Sequence, residues 1–457
     1  MQGIQNQKRI QLSDHFSYGR LIRFTLPSII IMIFSACYGI VDGYFISKYV
    51  GKTAFASVNL IIPFVQIIGV LGVVFGADGS ALIARTLGTG NREKAGRYFT
   101  MTMIAALFGS ILFTVVGLVA LKPAASYLGA SKANAMIEDC LTYGKICIMF
   151  TAAQLGQRVL LEYLVVAGKR KFAARVMTFA FLLNIVLDIL FIHKRFFNMG
   201  VAGAAWATGI SQTFAAGVPL LWFASKRNKT ALRFRKTKIE LSAMRKASYT
   251  GSAEAVSTLA APIVGLLYNS QLMKFSDSGA DAVAAYGVVL YVSFIFTNVY
   301  SGFSSGCSPI MGYHYGANRK REMRNVFKMS LVILAIVTIA MLSVVVILAK
   351  PISVVFVGYN DWKLVELTTK TLYFGIMPFL FMWFNVYLSS VFSSIDKSFV
   401  AAVFTVLRVV VFPVVCILVF PPILGLYGVW YALAGAEALS AVAALLVFST
   451  QKKKFKS

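Results

Sequence analysis

Long apolar stretches alternate with short, base-rich polar ones from residue 21 to residue 448 of this 457-residue chain. A helix that crosses a bilayer needs about 20 mostly apolar residues. A first set of stretches reaches that length: Leu21–Ile46, Ala54–Arg85, Tyr98–Leu121, Cys140–Leu161, Phe172–Ile192 and Val201–Phe223. A second set follows: Ser248–Phe275, Ala282–Tyr315, Phe327–Ala349, Leu364–Phe392, Phe399–Phe420 and Gly425–Phe448. The pattern predicts an all-α integral membrane protein with twelve transmembrane helices. One long polar stretch separates the two sets. The expected organisation is an N-terminal segment over residues 1–20, a six-helix bundle over 21–224, a linker over 225–247, a second six-helix bundle over 248–448 and a basic tail over 449–457.

The two sets repeat one another. Gly51, Ala54, Ala56, Phe75, Ser80, Gly88 and Phe99 recur 228 positions later as Gly279, Ala282, Ala284, Phe303, Ser308, Gly316 and Phe327. Gly200, Gly203, Ala207 and Phe223 recur 225 positions later as Gly425, Gly428, Ala432 and Phe448. An internal repeat of this length marks a duplicated structural unit. Six spans per unit is an even number, so the repeats run parallel. Two pseudo-symmetric bundles that face each other enclose a central cleft near the midplane, and rocking them gives alternating access.

Composition agrees: 58% of residues are hydrophobic and only 13% charged, with a mean hydropathy of +0.75. Soluble chains carry roughly 25% charged residues, and single soluble cores stop growing near 250–300 residues. The net charge of +27 raises the question of nucleic acid. Its distribution answers no, because Lys and Arg fall in short runs between the apolar stretches, as loop charges of a membrane protein do. With both termini cytoplasmic, 31 Lys and Arg lie on the inner side and nine on the outer. That bias predicts a multi-pass protein of the cell (plasma) membrane with its termini inside. The polar run Met1–Arg23 and the length of the first apolar stretch are unlike a cleaved signal. Cys37, Cys140, Cys147, Cys307 and Cys416 show no metal spacing and read as small buried hydrophobes. Three scattered histidines form no metal site.

An ionisable side chain within a span costs at least about 2.5–3.5 kcal/mol near the bilayer centre, so each one needs a reason. Asp42, Asp78, Asp188, Glu254, Glu437 and Arg408 are such residues. Counting residues along spans one, five and six puts Asp42, Asn184, Asp188 and Thr208 at similar depth in the outer part of the first bundle. Asn184 and Asp188 are four apart and share a helix face. Two carboxylates, an amide oxygen and a hydroxyl make a hard-oxygen cage for a proton or Na⁺. The alternative is that both aspartates cap backbone or pair with Lys145 of span four. At the repeat offsets the second half carries Ser270, Val409, Pro413 and Leu433 instead, so it lacks this cage. Arg408 and Glu437 lie at similar depth on consecutive spans and are expected to pair as a structural clamp. Glu254 is either a cation-attracting acid in the cleft or a partner of an inner-loop base. Asp78 is either an inner-gate partner or a substrate contact. Tyr38, Tyr143, Tyr268 and Met273 lie on spans expected to face the cleft, where aromatic and thioether groups suit apolar cations.

At these residues the chain resembles the multidrug and toxic compound extrusion (MATE) family. Pro27 followed by Tyr38-Gly-Ile-Val41-Asp42 is similar to its first-span signature. Gly76-Ala-Asp-Gly-Ser80 through Asn91 is similar to its second span and following loop, and Pro309 through Tyr315-Gly316-Ala317-Asn318 to the equivalent eighth-span segment. Asn184-Ile-Val-Leu-Asp188 and Gly200-Val-Ala-Gly203-Ala-Ala-Trp206-Ala-Thr208 are similar to its fifth and sixth spans. The resemblance covers essentially the whole chain. It implies a secondary antiporter, not an enzyme, that sits in the lipid bilayer and exports amphipathic, usually cationic small molecules in exchange for H⁺ or Na⁺, with no other cofactor and as a monomer. The family's first-lobe cation site falls on Asp42, Asn184, Asp188 and Thr208, the same four grouped by depth, with Tyr143 beside it. Glu254 resembles an acid on span seven of one branch. That branch also has an aspartate on span ten, where this chain has only Glu366 near the outer end.

Two other functions fit parts of the pattern. A flippase for a lipid or lipid-linked sugar, from the same superfamily, favours a strongly basic cavity, whereas the charges in this cleft are mostly acidic. An intramembrane prenyltransferase shares the Asn-x-x-x-Asp spacing but needs several Asp-rich clusters at one membrane face to hold Mg²⁺.

Overall fold

The computed structural model describes residues 12–73, 76, 79–127, 134–226, 228–235, 237, 260, 264–275, 279–357, 361–395 and 397–451. Among these, regular structure is entirely helical. The first half holds α1 (Tyr18–Phe45), α2 (Lys52–Val73), α3 (Gly79–Gly88), α4 (Arg92–Tyr127), α5 (Asn134–Met149), α6 (Thr151–Val166), α7 (Arg170–Ile192) and α8 (Val201–Ala224). The second half holds α9 (264–275), α10 (Gly279–Gly316), α11 (Lys320–Val357), α12 (Trp362–Gly375), α13 (Phe379–Ser394), α14 (Ser398–Val406), α15 (Phe412–Leu424) and α16 (Leu426–Gln451).

Among the described residues, seven helical runs are each long and apolar enough to cross a membrane: those of spans one, three, five, eight, nine, eleven and twelve. An eighth span is α12 with α13, bent by 44° at a break that ends in Pro378, where the missing amide and fixed φ interrupt the ladder. The other four predicted spans correspond to α2 with α3, α5 with α6, α8, and a seventh described only at residue 260 and over α9. Spans one and eleven each contain one wide helical turn, Ile46–Val50 and Leu407–Val411. The duplication persists in backbone detail. Gly200 and Gly425, 225 apart, precede α8 and α16 with φ of 58° and 60°, a left-handed conformation that glycine adopts without strain.

The halves meet where glycine removes the side chain. Helix α10 packs along α1 and α3. A methyl group on Gly302 would lie 2.6 Å from the Cα of Ile29, and one on Gly306 3.1 Å from the Cα of Thr25. Farther toward the basic ends, a methyl on Gly88 would overlap the carbonyl oxygen of Tyr313, and one on Gly316 that of Arg85. Gly88 and Gly316 are repeat partners 228 apart, and so are Arg85 and Tyr313. The same contact is therefore made twice, once from each half. The N-terminal segment straps across this end: Arg319 donates to the Ser13 carbonyl at 3.0 Å, Asn325 to the Phe16 carbonyl at 3.1 Å, and His15 pairs with Glu322 at 2.9 Å. The linker starts by folding back on α4, where the Arg235 amide donates to Thr100 Oγ1 at 2.9 Å.

Candidate functional site

Helices α1, α7 and α8 bring four polar side chains together inside the first bundle. Asp42 is 2% exposed, and Asn184 and Asp188 are fully buried. Thr208 Oγ1 donates to Asp42 Oδ2 at 2.6 Å, and Asn184 Nδ2 donates to Asp42 Oδ1 at 3.2 Å and to Thr208 Oγ1 at 3.3 Å. The Asp188 carboxyl lies within hydrogen-bonding reach of Asp42. Neither of its oxygens has a donor, and Asn184 Oδ1 also has no partner. Two bare carboxylates cannot bond to each other, so the arrangement needs a proton or a metal cation between them. The orphaned oxygens fit either one: a proton would bridge the carboxyls, and Na⁺ would take hard oxygens from Asp42, Asp188, Asn184 and Thr208. Lys145 is exposed and forms no ion pair with either aspartate. The site therefore has the residue set expected from depth, without the basic neighbour that would have neutralised it.

Tyr143 of α5 is 5% exposed and stands beside both carboxyls together with Cys147. Cys147 reads in the sequence as an inert hydrophobe; only the spacing of four from Tyr143 hinted that it shares that face. Tyr38 and Tyr268 correct the expectation for the cleft. Tyr38, 5% exposed, packs edge-on against Phe181 one turn below Asp42. Tyr268, 2% exposed, stacks on Tyr286 within the second bundle. Both turned inward because span membership does not fix which helix face meets the cleft. Met273 is exposed. Asp78 and Glu254 lie outside the described residues.

In the second bundle Arg408 Nη2 and Nε donate to Glu437 Oε1 at 2.9 and 3.1 Å, and Nε also reaches Oε2 at 3.1 Å. The expected pair is present. Asn385, which has no charge to draw notice in a sequence, completes it by donating to Glu437 Oε2 at 2.6 Å and to its carbonyl at 2.9 Å. Removing one member strands a buried charge, a cost of about 3–5 kcal/mol. Glu437→Ala is expected to lower the thermal unfolding midpoint sharply, while Arg408→Met/Glu437→Leu recovers most of the loss. Equal melting of Glu437→Ala and the unaltered chain would show that the pair contributes nothing.

The MatE family model matches residues 27–190 and again 255–418, one match per half. The chain belongs to the MATE family. Members of this family are multi-pass membrane transporters rather than enzymes. Among similar proteins, the multidrug export protein MepA of Staphylococcus saprophyticus is 23% identical over 433 residues, covering 93% of this chain and 92% of that protein. MepA of Staphylococcus haemolyticus is 24% identical over 445 residues, with 97% and 96% covered. A solved multidrug resistance MATE family transporter in an outward-facing conformation superposes with a TM-score of 0.88 at 21% identity, over 97% of both chains. The MATE fold accounts for the twelve spans and for two bundles that meet along a seam. One acid escaped the sequence reading altogether. Span four was expected to end at Leu161, but its helix continues to Val166 and carries Glu162 to the seam.

Proposed function

We propose that this MATE transporter is a secondary antiporter that exports amphipathic cationic small molecules in exchange for H⁺ or Na⁺ taken up at Asp42 and Asp188. One observation carries the reading: two buried carboxyls meet in the first bundle, both oxygens of Asp188 are unpartnered, and among the described residues no basic side chain pairs with either aspartate. Such a pair is stable only with a cation bound, so its occupancy follows the gradient that loads it. The MepA relatives, named as multidrug exporters, point to drug-like cargo. The charge bias of the loops supports cytoplasmic termini in a plasma membrane, which puts the basic, glycine-packed ends on the cytoplasmic side. A flippase has less support, because both first-bundle carboxyls would repel a phosphate-bearing cargo.

The test is transport by the purified chain in liposomes, with H⁺ and Na⁺ gradients imposed separately and ethidium or a fluoroquinolone as cargo. Movement of the cargo against its gradient under one of the two is expected. Indifference to both gradients would remove antiport. In the same assay Thr208→Ala, which deletes the hydroxyl on Asp42, is expected to weaken the apparent cation affinity about tenfold, the equivalent of 1.4 kcal/mol, without abolishing export.

A further inference from the structure

Helices α1 and α6 of the first half, beside the seam, line a cavity of about 20 Å³ with Ser28 and Ser35 of α1 and Gln157, Arg158 and Glu162 of α6. That volume is enough for about one water-sized occupant. Three polar atoms of its lining residues are buried and unpartnered: Ser28 Oγ, Gln157 Oε1 and Glu162 Oε2. Ser28 is 4% exposed and Gln157 6%. Buried polar groups of native proteins are almost always satisfied, so three orphans around one small cavity mark a place built for an occupant. The other Glu162 oxygen is taken: Ser305 Oγ, from α10 of the second half, donates to Oε1 at 2.6 Å.

We propose that this cavity is a second cation site, for one monovalent cation of the size of Na⁺, built by the first half and completed by Ser305 only while the basic ends are together. All the unpartnered atoms are oxygens, one of them from a carboxylate, a hard donor set for such an ion. The charge of Arg158, on the exposed side, offsets Glu162 only in part, and the cation completes the neutralisation where a carboxylate is costly. Arg158 is the charged neighbour. It lies one turn from Glu162 on the same helix face, is exposed, and opposes the cation through a solvent-screened interaction, which holds the affinity down. A ligand that binds one conformation alone stabilises it by mass action, so a cation here favours the state with the basic ends closed. The site is separate from the pair at Asp42 and Asp188, and its existence does not depend on that pair being the coupling site.

The test is thermal unfolding of the full chain in nanodiscs with Asp42→Asn and Asp188→Asn already in place, titrated with NaCl against choline chloride at constant ionic strength. Na⁺ is expected to raise the unfolding midpoint in this background. The concentration for half the effect should rise at least tenfold in Glu162→Gln, rise in Ser305→Ala and fall in Arg158→Gln. If Glu162→Gln does not fold, the opposite shifts of Ser305→Ala and Arg158→Gln carry the test. A Na⁺ response that vanishes with Asp42 and Asp188 would overturn the proposal, as would one that Glu162→Gln leaves unchanged. So would no preference for Na⁺ over choline, which would leave a buried water as the occupant. Failure here leaves antiport at the first-bundle pair intact, because that is read by gradient-driven transport and not by this titration.

Discussion

Asp42→Asn and Asp188→Asn are each expected to abolish cation-driven export while the protein still folds and inserts. Asp42 is held inside the bundle by a hydroxyl and an amide donor, one on each oxygen, and asparagine there keeps the shape and one of the two bonds. An asparagine at 188 goes further, because its amide N–H can donate to Asp42, to which no donor from Asp188 now points. The site would then imitate its loaded state permanently. Stability should hold or rise, since replacing a buried charge by a neutral group of equal volume removes a desolvation cost. Cation affinity should not survive. Losing one charge contact worth about 3 kcal/mol lowers it by roughly 100-fold, and an amide cannot exchange a proton. Initial rates of export under an imposed gradient, with expression and melting as controls, check this. Export at the unaltered rate in both variants would take the pair out of the mechanism.

The second large effect is expected at the seam. Gly88→Val or Gly316→Val should stop transport without unfolding either bundle. Each glycine lies against backbone of the opposite half, a carbonyl oxygen and not a flexible side-chain end, so neither neighbour can rotate away. Restoring ordinary contact near 3.5 Å would require the helices to part by roughly 1.5 Å, which disrupts the packing of Gly302 and Gly306 farther along α10. Because the contact is made twice about the repeat axis, the two single variants should have matching effects. Spin labels placed on the exposed residues Lys94 and Arg321 would report it: the short distance between basic ends should be depleted in both variants. An unchanged distance distribution with normal transport would mean the glycines are not needed for closure.

Much of this architecture was legible in the residues because helix rise is regular. Counting along spans placed Asp42, Asn184, Asp188 and Thr208 at one depth, and the structure joins Asp42, Asn184 and Thr208 by hydrogen bonds. The repeat offset likewise paired Gly200 with Gly425, and the structure gives both the same left-handed conformation. Rotation about a helix axis is a different matter, since it depends on neighbours that depth does not specify. Tyr38 and Tyr268 were therefore aimed at the cleft and lie inside their bundles. Asn385 was invisible because an amide has no charge penalty to expose it. Glu162 was lost to a boundary: the expected span ends at Leu161, before the charge, although Tyr163-Leu164-Val165-Val166 are apolar and the helix continues through them.

The most direct test of the central claim is cation release on cargo binding. The purified chain would be held in weakly buffered solution with a pH indicator, or loaded with radioactive Na⁺, and a saturating cationic compound added. About one H⁺ or one Na⁺ released per chain is expected, with none from Asp42→Asn or Asp188→Asn although both still bind the compound. The same release from both variants would contradict the account.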